Sequence, residues 1–228
     1  AASDVYKRQL HNGFTVQHTI FKQTHLADIP TIASWSPDAD ILAFNSDNNS
    51  IQIWNVVTRQ YITSIQGDQN QFSKLLWSPG GDALATLSPA GIQIWDVTTG
   101  LNVQNLLNSQ KATVAVWSSS TQSGGLLIGV SSSGELMRWQ TPDAFQTIDQ
   151  MMLLGTSQLF NYTSLNVAAI SLSPDGTQFA LAISDGTIQA RDAATLNLID
   201  IYSGHSATVN DIAWSPDGRT IATASTDT

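Results

Sequence analysis

Five short apolar runs recur along the chain: ILAFNS (41–46), ALATLS (83–88), LLIGVS (126–131), FALAIS (179–184) and TIATAS (220–225). Each has strand length and is bounded by turn residues, and no convincing helical period accompanies them. A tryptophan or leucine followed by serine precedes each run. Trp35-Ser36-Pro37-Asp38 returns as Trp77-Ser78-Pro79-Gly80, Trp117-Ser118, Leu172-Ser173-Pro174-Asp175-Gly176 and Trp214-Ser215-Pro216-Asp217-Gly218, at spacings of 42, 40, 55 and 42 residues. The Pro-Asp-Gly segments predict turns. Proline presets its φ, aspartate bonds back to following amides, and glycine tolerates positive φ.

A second marker follows the first four runs. It reads Ile51-Gln52-Ile53-Trp54-Asn55 and Ile92-Gln93-Ile94-Trp95-Asp96, then degrades to Leu136-Met137-Arg138-Trp139-Gln140 and Ile188-Gln189-Ala190-Arg191-Asp192. Looser strands come next: QYITSIQ (60–66), LNVQNLL (101–107) and LNLIDIY (196–202). Four short antiparallel strands in about 40–45 residues suit one propeller blade.

From Gly13 to Thr228 the chain resembles the WD-repeat β-propellers, most specifically in the last repeat, which keeps Gly204-His205, Asp211, the Trp214 to Gly218 turn, Ser225 and Asp227. The resemblance implies an all-β fold of four-stranded antiparallel blades: about four complete blades, with partial blades at both ends of an open, incomplete ring. The repeats fall at 24–66, 67–107, 108–158, 159–203 and, in part, 204–228 of one unit spanning 10–228. In that family a strand-c Trp, a strand-b Ser or Thr, a turn Asp and a His are linked by hydrogen bonds. This implies a network of His205, Ser225 and Asp227 in the last repeat and of His25, Ser46, Asn48 and Trp54 in the first. Trp95 and Trp139 hold the strand-c position in the second and third repeats, and Asp185 the turn position in the fourth. The departures are Thr24 for Gly, Asp68 at the His position, Pro89 near the Asp position and Arg191 for Trp. They predict weaker networks in the middle repeats.

Residues 1–9, AASDVYKRQ, fit no repeat. They back-translate into a string resembling the transposon adapter of shotgun sequencing libraries, so they are expected to be non-native and are excluded from fold reasoning. Asn12-Gly13 with FTVQHTIF matches Thr99-Gly100 with LNVQNLL, and Asp227-Thr228 matches the turn before strand c. The sequence therefore reads as opening and closing in mid-blade. Open sheet edges invite association, and the isolated chain is expected to be poorly soluble.

Composition changes this picture little. Formal charge is −9, from 9 basic and 18 acidic residues. Without Asp4, Lys7 and Arg8 it becomes 7 against 17, or −10. That disfavours nucleic acid as a partner, because phosphate binding needs clustered Lys and Arg. Glu135 is the only glutamate, and many of the aspartates sit in turn motifs. With no cysteine, disulfides and thiolate metal sites are excluded. No apolar run approaches the ~20 residues of a membrane-spanning helix. The compartment stays open.

Candidate chemistry is sparse. All seven tryptophans fall on the repeat markers, where large aromatics wedge between sheets. The four histidines, His11, His18, His25 and His205, show no metal-binding spacing, so neither metal nor cofactor is expected. No Gly-x-Ser-x-Gly elbow, phosphate loop or dinucleotide fingerprint occurs. SDNNS (46–50) is too short for a calcium loop and reads as a turn. The 55-residue spacing places about 13 surplus residues around LLGTSQLFNYTSLN (153–166), read as following strand d. Leu159, Phe160, Asn161 and Tyr162 there form a candidate partner-binding loop, since aromatics on a protruding loop anchor interfaces; the same loop could instead pack on its own blade.

The expected function is a non-catalytic scaffold presenting loops to a protein or peptide partner. One alternative is a sensing or targeting domain of a larger bacterial kinase, NTPase or protease. Another is a propeller hydrolase of the TolB or prolyl-oligopeptidase type, which shares the Ser-Pro-Asp-Gly turns.

Overall fold

The computed structural model describes residues 30–46, 50–67, 72–106, 109, 112–118, 125–131, 135–140, 158–160 and 166–227. Five antiparallel meanders follow one another. The first sheet is β1 (Ala33–Trp35), β2 (Ile41–Ser46), β3 (Ser50–Asn55) and β4 (Gln60–Gln66). The second is β5 (Lys74–Trp77), β6 (Ala83–Ser88), β7 (Gly91–Asp96) and β8 (Asn102–Asn105). The third is β9 (Ala112–Ser118), β10 (Leu126–Ser131), β11 (Leu136–Gln140) and β12 (Gln158–Phe160). The fourth is β13 (Val167–Leu172), β14 (Gln178–Ile183), β15 (Thr187–Asp192) and β16 (Leu198–Ser203). Among the described residues the fifth has β17 (Val209–Trp214) and β18 (Ile221–Ser225). Strands a to d run outward in each sheet. The innermost strands of successive sheets touch, β1 to β5, β5 to β9, β9 to β13 and β13 to β17, forming an open arc around an axis.

The core is divided into layers, one between each pair of sheets. Ile51, Ile53 and Ile65 of the first sheet meet Trp77, Leu84 and Trp95 of the second. Leu87 and Ile94 meet Leu127, Met137 and Trp139. Val114, Ile128 and Leu136 meet Phe179, Leu181 and Ile183. Ala180, Ala182 and Ile188 meet Val209 and Ile212 in the fourth layer. An inner strand is thus covered on both faces. That is why strand b reads as an unbroken apolar run rather than an alternation, and why β6 is buried at five successive positions. Each fully buried Ile or Leu stabilises the fold by about 1.5–3 kcal/mol. The fourth layer is the thinnest, since two strands of the fifth sheet are among the described residues. Beside it Tyr202 of β16, paired with Ile188, stays 46% exposed.

The turns between strands a and b are built as their sequence predicts. Ser173 Oγ donates to Asp175 at 2.6 Å and accepts the Gln178 amide at 3.0 Å. Ser215 repeats this with Asp217 and Thr220, and Ser36 with Asp38 and Ile41. The second turn lacks Pro-Asp-Gly order, and Asp82 takes the serine hydroxyl from a position further on. All four turns pass through a left-handed residue, Gly81, Gly176, Gly218 or, in the first, Ala39 at φ 62°.

One expectation is corrected. The surplus between the third and fourth markers does not follow strand d. The connections from strand d to the next strand a are of similar length throughout: Gln66 to Lys74, Asn105 to Ala112, Phe160 to Val167 and Ser203 to Val209. Strands c and d are joined over Asn55 to Gln60, Asp96 to Asn102 and Asp192 to Leu198, but over Gln140 to Gln158 in the third sheet. Leu159 pairs with Met137, and Phe160 with Leu136. The edge of β11 needs a pairing partner, and QLF supplies it. The third sheet therefore ends beyond 158, where the repeat boundary was read. Gln140, which precedes the surplus, pairs with Leu126 at the a–b turn end of the sheet. Asn161 and Tyr162 lie outside the described residues, as do 1–29.

Candidate functional site

Strand register gives the network residues their places. Strand b pairs with the strand-c marker as Leu42 with Trp54, Leu84 with Trp95, Leu127 with Trp139 and Phe179 with Arg191. On strand a, Trp214 pairs with Ile221, as Trp77 does with Leu84. Two residues further along strand b, on the same side of the pleat, stand Phe44, Thr86, Gly129, Leu181 and Thr223. That single position determines what the network can be.

In the second sheet, buried Trp95 donates its indole N–H to Thr86 Oγ1 at 2.9 Å. In the fifth, His205 Nδ1 lies 3.0 Å from Asp227, and Nε2 lies 2.7 Å from Thr223 Oγ1. With the proton on Nδ1, the ring donates to Asp227 and accepts from the Thr223 hydroxyl. Ser206 N–H also donates to Asp227, at 2.8 Å. That amide is the main cause holding the Asp227 carboxyl below its ordinary range, with His205 and Ser225 adding to it. Ser225 belongs to the cluster, but not as the hydroxyl that meets His205. It donates to the Ala207 carbonyl and accepts the Asp227 amide. Thr223 is the direct partner, and the equivalence of Thr86 and Thr223 was the signal that could have named both.

The other sheets use different chemistry at the same place. Phe44 leaves Trp54 no hydroxyl, so Trp54 donates to Gln52 Oε1 at 3.1 Å, and Gln52 reaches Ser46 at 3.3 Å. Trp54 also meets Tyr61 edge-on, with centroids 5.8 Å apart. In the third sheet Gly129 makes room for fully buried Trp139; a Cβ there would come within 2.9 Å of the ring. In the fourth, Arg191 replaces tryptophan and is 3% exposed. Its Nε and Nη2 donate to Gln189 Oε1 at 3.1 and 2.7 Å, and Nη1 to the Leu196 carbonyl at 3.0 Å. Asp185 joins no histidine. It accepts from the hydroxyl and, next, the amide of Thr187, which hold its carboxyl below the usual range. His25 and Asn48 lie outside the described residues.

On the opposite face, the serine hydroxyls of the a–b turns are the main cause holding Asp38, Asp175 and Asp217 ionised below the ordinary carboxylate range. The turns also connect neighbouring sheets. Trp77 Nε1 donates to the Ser34 carbonyl at 3.0 Å, and Ser118 Oγ to the Gly176 carbonyl at 2.7 Å. Trp214, the counterpart of Trp77, has its Nε1 buried without an acceptor. Two cavities open here. One of about 350 Å³ lies at the axis between Trp35, Trp77, Trp117 and Leu172. One of about 400 Å³ lies between the turns of the fourth and fifth sheets. Among the described residues no three His, Cys, Asp or Glu side chains are grouped to hold a metal ion.

Comparison with known proteins agrees with this internal repetition. A family model described as the WD domain, G-beta repeat, matches residues 196–228. The model of the anaphase-promoting complex subunit 4 WD40 domain matches residues 33–120. A transcriptional corepressor, LEUNIG_HOMOLOG of Arabidopsis thaliana, is 24% identical over 196 residues, covering 85% of this chain and 23% of the relative. The serine-threonine kinase receptor-associated protein of Dictyostelium discoideum is 25% identical over 168 residues, covering 73% and 52%. Periodic tryptophan protein 2 homolog of Dictyostelium discoideum is 23% identical over 189 residues, covering 82% of this chain and 20% of its own. The chain thus spans about a quarter or less of two of these relatives and about half of the third. Among solved structures, the β-propeller domain of Cps50 (Swd1) from Myceliophteria thermophila superposes with a TM-score of 0.69 at 15% identity, covering 87% of this chain and 63% of that one.

Proposed function

The chain belongs to the WD-repeat β-propeller family, and from that premise we propose that it is a non-catalytic protein-interaction scaffold. A rigid arc of sheets presents turns to a protein or peptide partner, and no covalent step is involved. Fold alone does not give function, so the reading rests on one observation. The side chains that most resemble chemistry are His205, Asp227 and Thr223, in the order of an Asp–His–hydroxyl relay. Thr223 holds the position at which Thr86 accepts the indole of Trp95. The same place in the repeat is a framework position in a sheet without histidine there, which supports a structural role for the relay.

The partner-contacting elements are the turns on the two faces and the outer strands. Leu159 and Phe160 of the outer strand β12, with Asn161 and Tyr162 next in sequence, are kept among the candidate contacts. Immobilised chain should capture a protein or peptide reproducibly, and Phe160→Ser with Tyr162→Ser should weaken capture if this stretch takes part. Unchanged capture with lost stability would return those two residues to packing. Ester or peptide hydrolysis by the purified chain, abolished by His205→Ala, would overturn the scaffold reading and favour a propeller hydrolase. A second reading draws support from the relatives: the matched stretch is 20–23% of two of them. In it the propeller recruits or senses for a longer polypeptide.

A further inference from the structure

We propose that the face carrying the a–b turns binds a basic peptide segment, with one arginine or lysine side chain entering the cleft between the turns of the fourth and fifth sheets. This rests on the scaffold reading and names the chemistry of one partner. The cleft has a volume of about 400 Å³, within the range of small-ligand sites. Pro174, Trp214 and Pro216 give it apolar walls, and Asp175 and Asp217 place two carboxylates on its rim.

Those carboxylates have capacity to spare. Among the described residues, every hydrogen bond to Asp175 ends on Oδ1, from Ser173, Thr177 N–H and the Thr177 hydroxyl. Asp217 likewise takes Ser215 and the Arg219 amide on Oδ1. In each case Oδ2 is left to accept from a ligand. The same turn contacts, the serine hydroxyls first, hold both carboxyls below their ordinary range. Two like charges on one rim repel, and a cation between them relieves that repulsion.

The surrounding charge favours the same class of ligand. The described a–b turns carry Asp38, Asp40, Asp82, Asp175 and Asp217 against one cation, Arg219. Arg219 lines a separate cavity on the far side of Trp214. An acidic face repels a phosphate backbone and steers basic chains toward it.

The apolar wall distinguishes an organic cation from a metal ion. A guanidinium or ammonium over an indole face gains roughly 0.5–2 kcal/mol, whereas a hard metal ion needs more oxygen ligands than two turn aspartates offer. The axial cavity on the same face, walled by Trp35, Trp77 and Trp117, gives the segment an apolar path across the arc.

The test is a titration of the full chain, at low and at physiological salt, with the peptide Gly-Arg-Gly-Arg-Gly, with its glutamate counterpart and with guanidinium alone. Intrinsic tryptophan fluorescence and calorimetry provide the readouts. The arginine peptide should bind, salt should weaken it, and neither the glutamate peptide nor guanidinium at equal concentration should compete. Asp175→Asn with Asp217→Asn, which keeps the turn geometry, should weaken binding at least tenfold. The charge-matched pair Asp200→Asn with Asp211→Asn should change it less than twofold. Equal binding of the arginine and glutamate peptides, or equal loss in both double variants, overturns the proposal. Should the Asp175 and Asp217 variant fail to fold, the peptide comparison on the unaltered chain decides alone. A captured partner that seats only on the opposite face would end this proposal and leave the scaffold reading standing.

Discussion

The second and fourth sheets fill the same position with opposite chemistry. Trp95 places one neutral donor against Thr86. Arg191 places a charged fork in the equivalent site, against a buried glutamine and a backbone carbonyl. Both sheets nevertheless keep the same register shift, between Ile94 and Trp95 and between Ala190 and Arg191. The lesson is that the network chemistry can be exchanged while the pairing is kept. Turn chemistry and apolar strand runs carry the fold, and the network tunes stability sheet by sheet.

That comparison breaks most easily at Arg191. Arg191→Ala leaves a void and strips buried Gln189 of its donor, and it should cost about 2–4 kcal/mol by denaturant melts. Arg191→Met with Gln189→Leu should recover most of that loss, because an apolar replacement of both partners is often neutral. Failure of the double variant to recover stability would mean that the charge itself is required. Thr86→Val should cost about 1–3 kcal/mol, the desolvation penalty of an indole N–H left without an acceptor. In Gly129, where the third sheet has no hydroxyl to lose, no substitution has that particular consequence.

A finer contrast lies between Trp77 and Trp214. Phenylalanine removes a made hydrogen bond from the first and an unmade one from the second. Trp77→Phe should therefore be about 1 kcal/mol more costly than Trp214→Phe. Equal costs would show that packing alone sets both. Ala39 stands in left-handed backbone where the other turns have glycine. Ala39→Gly should stabilise by about 0.5–1 kcal/mol, as relief of strain outweighs the added freedom of the unfolded chain.

The smallest effects are those of single turn carboxylates. Asp38, Asp175, Asp185, Asp192, Asp217 and Asp227 are all held below the ordinary value in the folded chain. A carboxyl lowered in the folded state stabilises above its unfolded value, near 3.9. That contribution is lost as pH falls through the lowered folded values. The melting temperature should stay level from pH 7 to 5 and drop below about pH 4. A midpoint near neutrality would point to groups other than these.

Much of this was legible in the sequence, for physical reasons. Ser-Pro-Asp-Gly determines a turn locally, through one hydroxyl, one carboxylate and one left-handed residue. Ile-Gln-Ile-Trp marks strand c by alternation, with both isoleucines buried between sheets and the glutamine between them part-exposed. The direct partner of His205 was harder to see. Thr223 and Ser225 share a side of β18, and only the register with Trp214 and Ile221 separates them. The surplus length of the third repeat was misplaced because QLF carries no turn or marker signal. Its strand character comes from pairing with β11, which is tertiary information.

The most direct test of the central claim is His205→Ala, assayed for melting temperature and for hydrolysis of a chromogenic ester. A framework role predicts a lower melting temperature and a hydrolytic rate identical to that of the unaltered chain and to the buffer background. A measurable rate in the unaltered chain that vanishes in the variant, with melting unchanged, would contradict the account.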